Sequence, residues 1–300
     1  MRLLVTGRTG QLAQCLVERA ARRAGVEVVS IGRPEFDLRD GATIARSVAG
    51  ANADLVISAA AYTAVDKAET AADEAMAANT IGPGLLAEAA ASAGLPIIHV
   101  STDYVFDGES DRPYVETDPT GPVSVYGASK LGGETAVKAA NRRHLIVRTA
   151  WFYSPFGRNF VSAVLELTRD RDELRMVSDQ RGSPSNALDV ADGILRAADR
   201  MLAAADGFEY GVYHLAGSGG TTRSAWARHI MEASRAAGGP FAMIVDIPSS
   251  DYPTPAKRPR NSELSNAKFE RTFGWTPPHW TTATTAVVER LLKGSGAAPD

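Results

Sequence analysis

The sequence predicts an α/β protein with a doubly wound parallel sheet and a smaller C-terminal lobe, on three observations. Short apolar runs alternate with helix-like stretches through the first 150 residues. A glycine-rich turn interrupts the chain directly after the first run, at Gly7 to Gly10. After Trp151 the alternation becomes irregular. Alternation of this kind builds parallel sheets, because parallel neighbours need a crossover connection that a helix supplies.

Three hundred residues are ample for a sizeable core. Hydrophobic residues at 44% and charged residues at 22% are ordinary for a globular protein. A net charge of −3 and a pI near 6.0 leave no electrostatic footprint for nucleic acid. The single cysteine, Cys15, excludes an internal disulfide, fits a reducing cytoplasm and reads as a small apolar helix residue. The chain opens in a strand-like run without a charged n-region and a long apolar h-region, so a secretory leader is not expected. No apolar stretch reaches membrane-spanning length, and no Cys or His spacing suits a metal. The tail from Gly294 to Asp300 is small and polar and is expected to fray.

Arg2 to Thr6 is the first apolar run, and it breaks at Gly7-Arg8-Thr9-Gly10-Gln11-Leu12-Ala13. Glycines there let the backbone turn tightly and approach a pyrophosphate, whose charge sits at the start of the following helix. That helix is expected to reach Ala24. The turn, between a strand and a helix, predicts a Rossmann-type NAD(P)-binding domain over residues 1–150. The second strand, Val26 to Ile31, ends in Gly32-Arg33. A carboxylate at this place would hold a ribose 2′-hydroxyl, whereas Arg33, with Arg8, favours a 2′-phosphate and therefore NADPH. Arg33 as a solvated loop residue is the alternative. Phe36-Asp37-Leu38 is expected as a very short strand, with Asp37 and Leu38 near a bound adenine.

Asp54 to Ser58 is a buried strand that runs into Ala59-Ala60-Ala61-Tyr62-Thr63, where small residues leave room for a ligand at the strand end. An alanine-rich helical region follows from Val65 to Ala93, with Asn79 inside it. Pro96 to Val100 is the next strand and delivers Ser101-Thr102-Asp103 to the same edge. The stretch from Tyr104 to Val123 is a long loop, and long loops in compact domains usually carry function.

Tyr126-Gly127-Ala128-Ser129-Lys130 then places a phenol and an ammonium on one helical face. A nearby ammonium is expected to pull the Tyr126 pKa down from its usual value near 10 toward the working range. Such a pair suits proton transfer at an oxygen whose carbon takes or gives a hydride. Thr102 can hydrogen-bond the same oxygen; capping a turn is its alternative. His144 to Thr149 returns as a strand.

Residues 151–300 read mainly as a substrate-binding lobe, with some segments expected to return to the first domain. Phe160 to Thr168 and Asn186 to Ala204 are helical, Leu174 to Val177 and Gly211 to Leu215 are strands, and Asp179 to Ser185 is a polar loop. Asp189 and Asp192 are expected on a solvated face, and His214 as a satisfied core histidine. A proline-rich crossing ends in Lys257-Arg258-Pro259-Arg260, whose guanidiniums match a diphosphate. Trp275 to Trp280 leads into a final helix.

These motifs resemble the extended short-chain dehydrogenase/reductase superfamily and, within it, the dTDP-4-dehydrorhamnose reductase family. The likeness is carried by Gly7 to Leu12, Ala59 to Glu69, Ser101 to Phe106, Val125 to Leu131, Arg148 to Trp151, Asp179 to Pro184 and Arg258 to Ser262. The resemblance implies NADPH-dependent reduction of the C4 ketone of dTDP-4-dehydro-β-L-rhamnose, the final step of dTDP-L-rhamnose biosynthesis, with NADH accepted by some members. Tyr126 would donate the proton, Lys130 would hold the nicotinamide ribose, and Thr102 would complete the catalytic set. Gly7, Arg8, Thr9, Gly10, Gln11, Leu12, Arg33, Asp37, Leu38, Ala61, Tyr62 and Thr63 would bind the cofactor with Tyr126 and Lys130. Asp103, Trp151 and Arg258 would bind the dTDP-sugar with Thr102 and Tyr126. Some relatives use a glutamate on the first helix for an intersubunit metal; here that helix opens Gln11-Leu12-Ala13-Gln14-Cys15 without an acid, so no residue is assigned to Mg2+. The resemblance implies a dTDP-sugar substrate and allows a homodimer, while the residues themselves specify neither the oligomeric state nor a thymidine over a uridine carrier. The rival readings are a nucleotide-sugar epimerase or dehydratase on the same scaffold, and a non-catalytic regulatory subunit. Tyr104 after Thr102-Asp103, where a dehydratase adds a second acid, disfavours the first; Thr102, Tyr126 and Lys130 together disfavour the second.

Overall fold

The computed structural model describes residues 1–204 and 207–295. Six parallel strands form its central sheet: β1 (Arg2–Thr6), β2 (Glu27–Ile31), β3 (Leu55–Ser58), β4 (Ile97–Thr102), β5 (His144–Thr149) and β6 (Gly211–His214). Their spatial order is β6-β5-β4-β3-β1-β2. The chain therefore builds outward from β1 to β2, crosses back, and extends the other side from β3 onward. The central strands are mainly apolar, and Leu55, Val56, Ile57, Ile97 and Ile98 are fully buried, as a sheet covered on both faces requires.

Two helical layers provide that cover. On one face lie α1 (Gln11–Ala20) and a later helix that joins it from the second half. Against the other pack α2 (Gly41–Gly50), α3 (Gly82–Ser92) and α4 (Val125–Ala140), around Leu4, Ile44, Leu86 and Val137. The later helix is α5 (Ala187–Ala203), and its Ile194, Leu195 and Met201 share a core with Leu3, Leu16 and Tyr213. Asp192 stays partly exposed while pairing with Arg19 of α1 at 3.1 Å. Asp189 beside it is pushed up to about 6, chiefly by burial.

A separate core gathers Trp151, Tyr153, Val161, Trp226, Ile230 and Val288, drawing on α6 (Arg223–Ala236) and α7 (Trp280–Ser295). Glu173–Val177 pairs in parallel with Met243–Ile247 at its margin. The first helix is tied to this half of the molecule, because the Gln11 Oε1 accepts from Ser154 Oγ at 2.8 Å and Asn159 Nδ2 at 3.2 Å. Arg290 of α7 adds a fork onto Glu18 of α1, at 2.9 and 2.8 Å.

Two further expectations change. Phe36-Asp37-Leu38 forms no strand; Phe36 and Leu38 are buried while Asp37 turns onto Arg39, accepting from its backbone N at 2.9 Å and its guanidinium at 2.8 and 3.1 Å. Local side-chain bonding of this kind competes with strand pairing. The alanine-rich region breaks into Val65–Ala68, Ala72–Met76, a π-helical turn at Ala77–Ile81, and α3. Among the described residues no helix is long and apolar enough to cross a membrane. The tail beyond residue 295 lies outside the described residues.

Candidate active site

Parallel strands bring the C-terminal ends of β1, β3, β4 and β5 to one edge of the sheet, where open α/β sheets bind ligands. Gly7 follows β1 with φ 98, in the left-handed region, and a Cβ there would sit 3.2 Å from Ala60 Cα. Its amide and that of Arg8 donate to Ile31 O at 2.8 and 3.1 Å, which folds the turn over β2. Gly10 opens α1 with no side-chain cap and no acid in the first turn, so the first amides of that helix face outward with their partial positive charge. This is a fitting seat for a pyrophosphate.

The loop after β3 closes the same cleft. Thr6 Oγ1 accepts from the amides of Ala59 and Ala60 at 3.1 and 3.0 Å. Asn79 binds both main-chain groups of Tyr62, accepting from its N at 2.8 Å and donating to its O at 3.0 Å, and it donates to Ser129 Oγ at 3.0 Å. This fully buried side chain from the π-helical turn braces Ala61-Tyr62-Thr63 against α4. Sequence reasoning noticed Asn79 without a role; its one signal was a polar residue inside an alanine-rich stretch.

At the β2 end, the two arginines differ. Arg33 is exposed, whereas Arg8 pairs with Glu35 at 3.0 Å. The turn at Arg33-Pro34 carries Glu35 back over the glycine loop, so one of the two arginines expected to favour a 2′-phosphate already has a carboxylate partner. Asp37 is held at about 2 by the Arg39 guanidinium and amide, and the Leu38 side chain belongs to the core beneath.

Thr102 ends β4. Its Oγ1 donates to Asp103 Oδ1 at 2.8 Å and accepts from Tyr104 N at 3.2 Å, so the hydroxyl does cap a turn while remaining beside Tyr126. Helix α4 starts at a Ser124 cap, whose Oγ accepts from Gly127 N at 3.1 Å. A Cβ on Gly127 would meet Tyr104 O at 2.2 Å, so glycine is what lets the helix lie against the β4 end. Tyr104 meets Tyr126 edge-on, with centroids 5.8 Å apart. One turn along α4, Lys130 is buried and donates to Val100 O at 2.8 Å.

The electrostatics run against one expectation. Burial, and then the charge of Asp103, hold the Tyr126 phenol above its ordinary value, with the Thr102 hydroxyl opposing them. Lys130 is not among the groups that set this shift; one of its ammonium donors goes to Val100 O and burial draws it down to about 8. A phenol kept protonated is the form that a proton donor needs. Asp103 is pushed up to about 6 by burial, against Ser262, Thr102 and Arg223, and its Oδ2 has no hydrogen-bond partner among the described residues. Behind the pair, Glu134 takes a fork from Arg148 at 2.8 and 2.8 Å and a bond from Ser101 Oγ at 2.7 Å, all buried.

Trp151 follows β5 with φ 40, and its indole covers Gly182, where a Cβ would lie 2.4 Å from the ring. Arg223, which sequence reasoning missed, stacks on that indole with Cζ 3.7 Å from the ring centroid. Only the fold joins these two distant positions, so no local pattern announces them. Arg258 pairs with Asp66 at 2.8 Å and borders a cavity of about 220 Å³ that Asp107, Asp179, Lys257 and Arg260 also line.

A sequence model described as the RmlD substrate binding domain matches residues 1–293. The chain belongs to this family. It is similar to a dTDP-4-dehydrorhamnose reductase of Sinorhizobium fredii, at 48% identity over 292 residues that cover 97% of this chain and 98% of that protein. The structure of a dTDP-4-dehydrorhamnose reductase from Clostridium acetobutylicum superposes with a TM-score of 0.90 at 35% identity, covering 97% of this chain and 100% of that one. A third, from Bacillus anthracis in complex with NADP, gives a TM-score of 0.88 at 28% identity, with 98% and 99% covered. The Rossmann-type fold expected from the sequence is the fold of these relatives.

In this member of the RmlD substrate binding domain family, the one acid of the first helix is already engaged in ion pairs. The acid of α1, Glu18, is forked by Arg290 and also paired with Arg22 at 2.9 Å. The Cys15 thiol is pushed up to about 12, chiefly by burial. Among the described residues no group of three or more metal-ligating side chains could hold an ion.

Proposed function

We propose that this chain is an NADPH-dependent reductase that converts dTDP-4-dehydro-β-L-rhamnose to dTDP-β-L-rhamnose. The observation that carries the reading is the cluster of Thr102, Tyr126 and Lys130 at the β4 end, beside an uncapped helix start. The nicotinamide cofactor, when bound, supplies the hydride to the sugar C4. Tyr126, held neutral, gives its proton to the ketone oxygen as charge develops there, and the Thr102 hydroxyl bonds the same oxygen. Lys130 binds the nicotinamide ribose and electrostatically supports the phenolate left behind. Asp103 and Trp151 orient the sugar. Gly7 to Leu12 seat the pyrophosphate, Ala61 to Thr63 and Leu38 border the nucleoside, and Arg33 faces the 2′-phosphate.

Residues 1–150, completed by α5 and β6, form the cofactor domain on this reading, and the core around Trp226 holds the sugar nucleotide. The work is cytoplasmic, where NADPH and nucleotide sugars are available. NADPH is preferred over NADH only modestly, since Glu35 already engages Arg8.

NADPH oxidation in the presence of the keto sugar is the direct test. Tyr126→Phe should retain NADPH binding and lose turnover on the order of 10²–10⁴-fold. Turnover near wild type in that variant would remove Tyr126 from the mechanism; absence of NADPH oxidation by the wild type would remove the reading.

A further inference from the structure

Arg223 is the first residue of α6, behind a Thr222 cap whose Oγ1 accepts from Ala225 N at 3.2 Å. Its guanidinium lies on the Trp151 indole, with Phe160 and Trp226 at 5.2 and 5.8 Å. Trp151 is itself immobilised, pressed onto Gly182 by a backbone that bends at φ 40. The guanidinium is therefore pre-positioned by a rigid aromatic shelf.

Among the described residues no carboxylate forms an ion pair with it, while the Tyr104 phenol and the charges of Asp103 and Arg258 are close enough to act on it. Arg258 approaches the same phenol, with Cζ 6.0 Å from the ring centroid. One of its nitrogens bonds Asp66, while Nη1 is buried without a partner. Burial draws the Arg223 pKa below its ordinary value, and the Arg258 charge pushes the same way. Two guanidiniums crowded about one phenol in a poorly solvated site are costly unless an anion completes it. Their planar forks match the oxygens of a phosphate better than they match sugar hydroxyls.

We infer that Arg223 and Arg258 together clamp the diphosphate of the nucleotide-sugar substrate, with the Trp151 stack aiming the Arg223 fork. The identity of the ligand as a nucleoside diphosphate sugar rests on the reductase reading. Arg258 already pairs with Asp66, whereas Arg223 has no ion pair among the described residues and only the nearby charge of Asp103 to offset it. The sugar ring is then held between the clamp and Thr102, and a free keto sugar lacking the diphosphate is a poor substrate.

The test is calorimetric binding of dTDP, which lacks the sugar, to the full chain saturated with NADPH. Arg223→Gln should weaken dTDP about 10- to 100-fold, the loss expected for hydrogen bonds to a charged group. NADPH affinity should be unchanged, and thymidine should bind equally weakly to variant and wild type. Arg223→Lys keeps the stem on Trp151 and the charge but not the fork, and it should bind dTDP several-fold more weakly than wild type. Equal dTDP affinity in wild type and either variant overturns the clamp, and R223K decides if R223Q fails to fold. Normal turnover with dTDP binding insensitive to Arg223 leaves the reductase standing without the clamp. Arg223-dependent dTDP binding without NADPH oxidation keeps the clamp and rejects the reductase.

Discussion

Glu35 controls how much of Arg8 is available to a 2′-phosphate. The pair is half exposed, so it is worth little to stability, but it neutralises one of the two cations at the β2 end. Glu35→Gln should therefore strengthen NADPH binding by up to about tenfold and leave NADH nearly unchanged, as read from Michaelis constants for both cofactors. Equal gains for both would assign Glu35 to general support of the loop. Asp103 offers a second residue-level prediction. Its carboxyl titrates at about 6 in the folded chain, above the ordinary carboxylate value. Its stabilising contribution is present below that ordinary value and is lost as pH rises through about 6. Urea unfolding should thus show wild type losing stability relative to Asp103→Asn between pH 4 and 7, by on the order of 3 kcal/mol at most. A constant difference across that range would mean the carboxyl is better solvated than its burial implies. Much at this scale was legible: the glycine turn and the Tyr126–Lys130 spacing needed only local pattern. The sign of the Tyr126 shift was not, because desolvation and the Asp103 charge come from neighbours that only the fold supplies.

At the scale of elements, α4 carries three polar side chains at four-residue intervals: Tyr126, Lys130 and Glu134. The last of these fixes the helix to β5 through Arg148, inside the protein. Glu134→Ala leaves the guanidinium buried and unpaired, and should cost roughly 3–5 kcal/mol in denaturant unfolding. Combining Glu134→Leu with Arg148→Met should restore most of that loss, because two apolar side chains leave no orphan charge. A double variant as unstable as the single one would show that Ser101, not Arg148, is the partner that matters. Strand positions were readable from apolar runs, and the main helices from composition and spacing. The Phe36–Leu38 segment misled because apolar-polar-apolar alternation is also what two buried anchors around a local Asp37–Arg39 turn produce. The π-helical turn was invisible, since one extra residue in a stretch of alanines barely alters its periodicity.

Across the whole molecule, the first half is incomplete on its own. Helix α5 and strand β6 supply Ile194, Leu195, Met201 and Tyr213 to the core beneath β1 and β3. A fragment of residues 1–150 should therefore fail to unfold cooperatively and should bind a hydrophobic dye, whereas the full chain unfolds in a sharp transition. Cooperative unfolding of the fragment would show that the opposite helical layer alone suffices. Some later segments were expected to return to the first domain, but which ones pack there depends on long-range packing, which local pattern does not encode.

The position of β6 has a consequence for the order of synthesis. It pairs with β5 from Leu145 to Arg148, and until residues 211–214 exist that side of β5 presents unpaired backbone groups. About 60 residues separate the two strands, so translation at roughly 5–20 residues per second leaves the edge open for several seconds. For that interval a growing chain carries a template onto which a neighbouring chain on the same messenger can add a strand. Slowing elongation between codons 150 and 210 should accordingly lower the yield of soluble protein without changing the stability of what does fold.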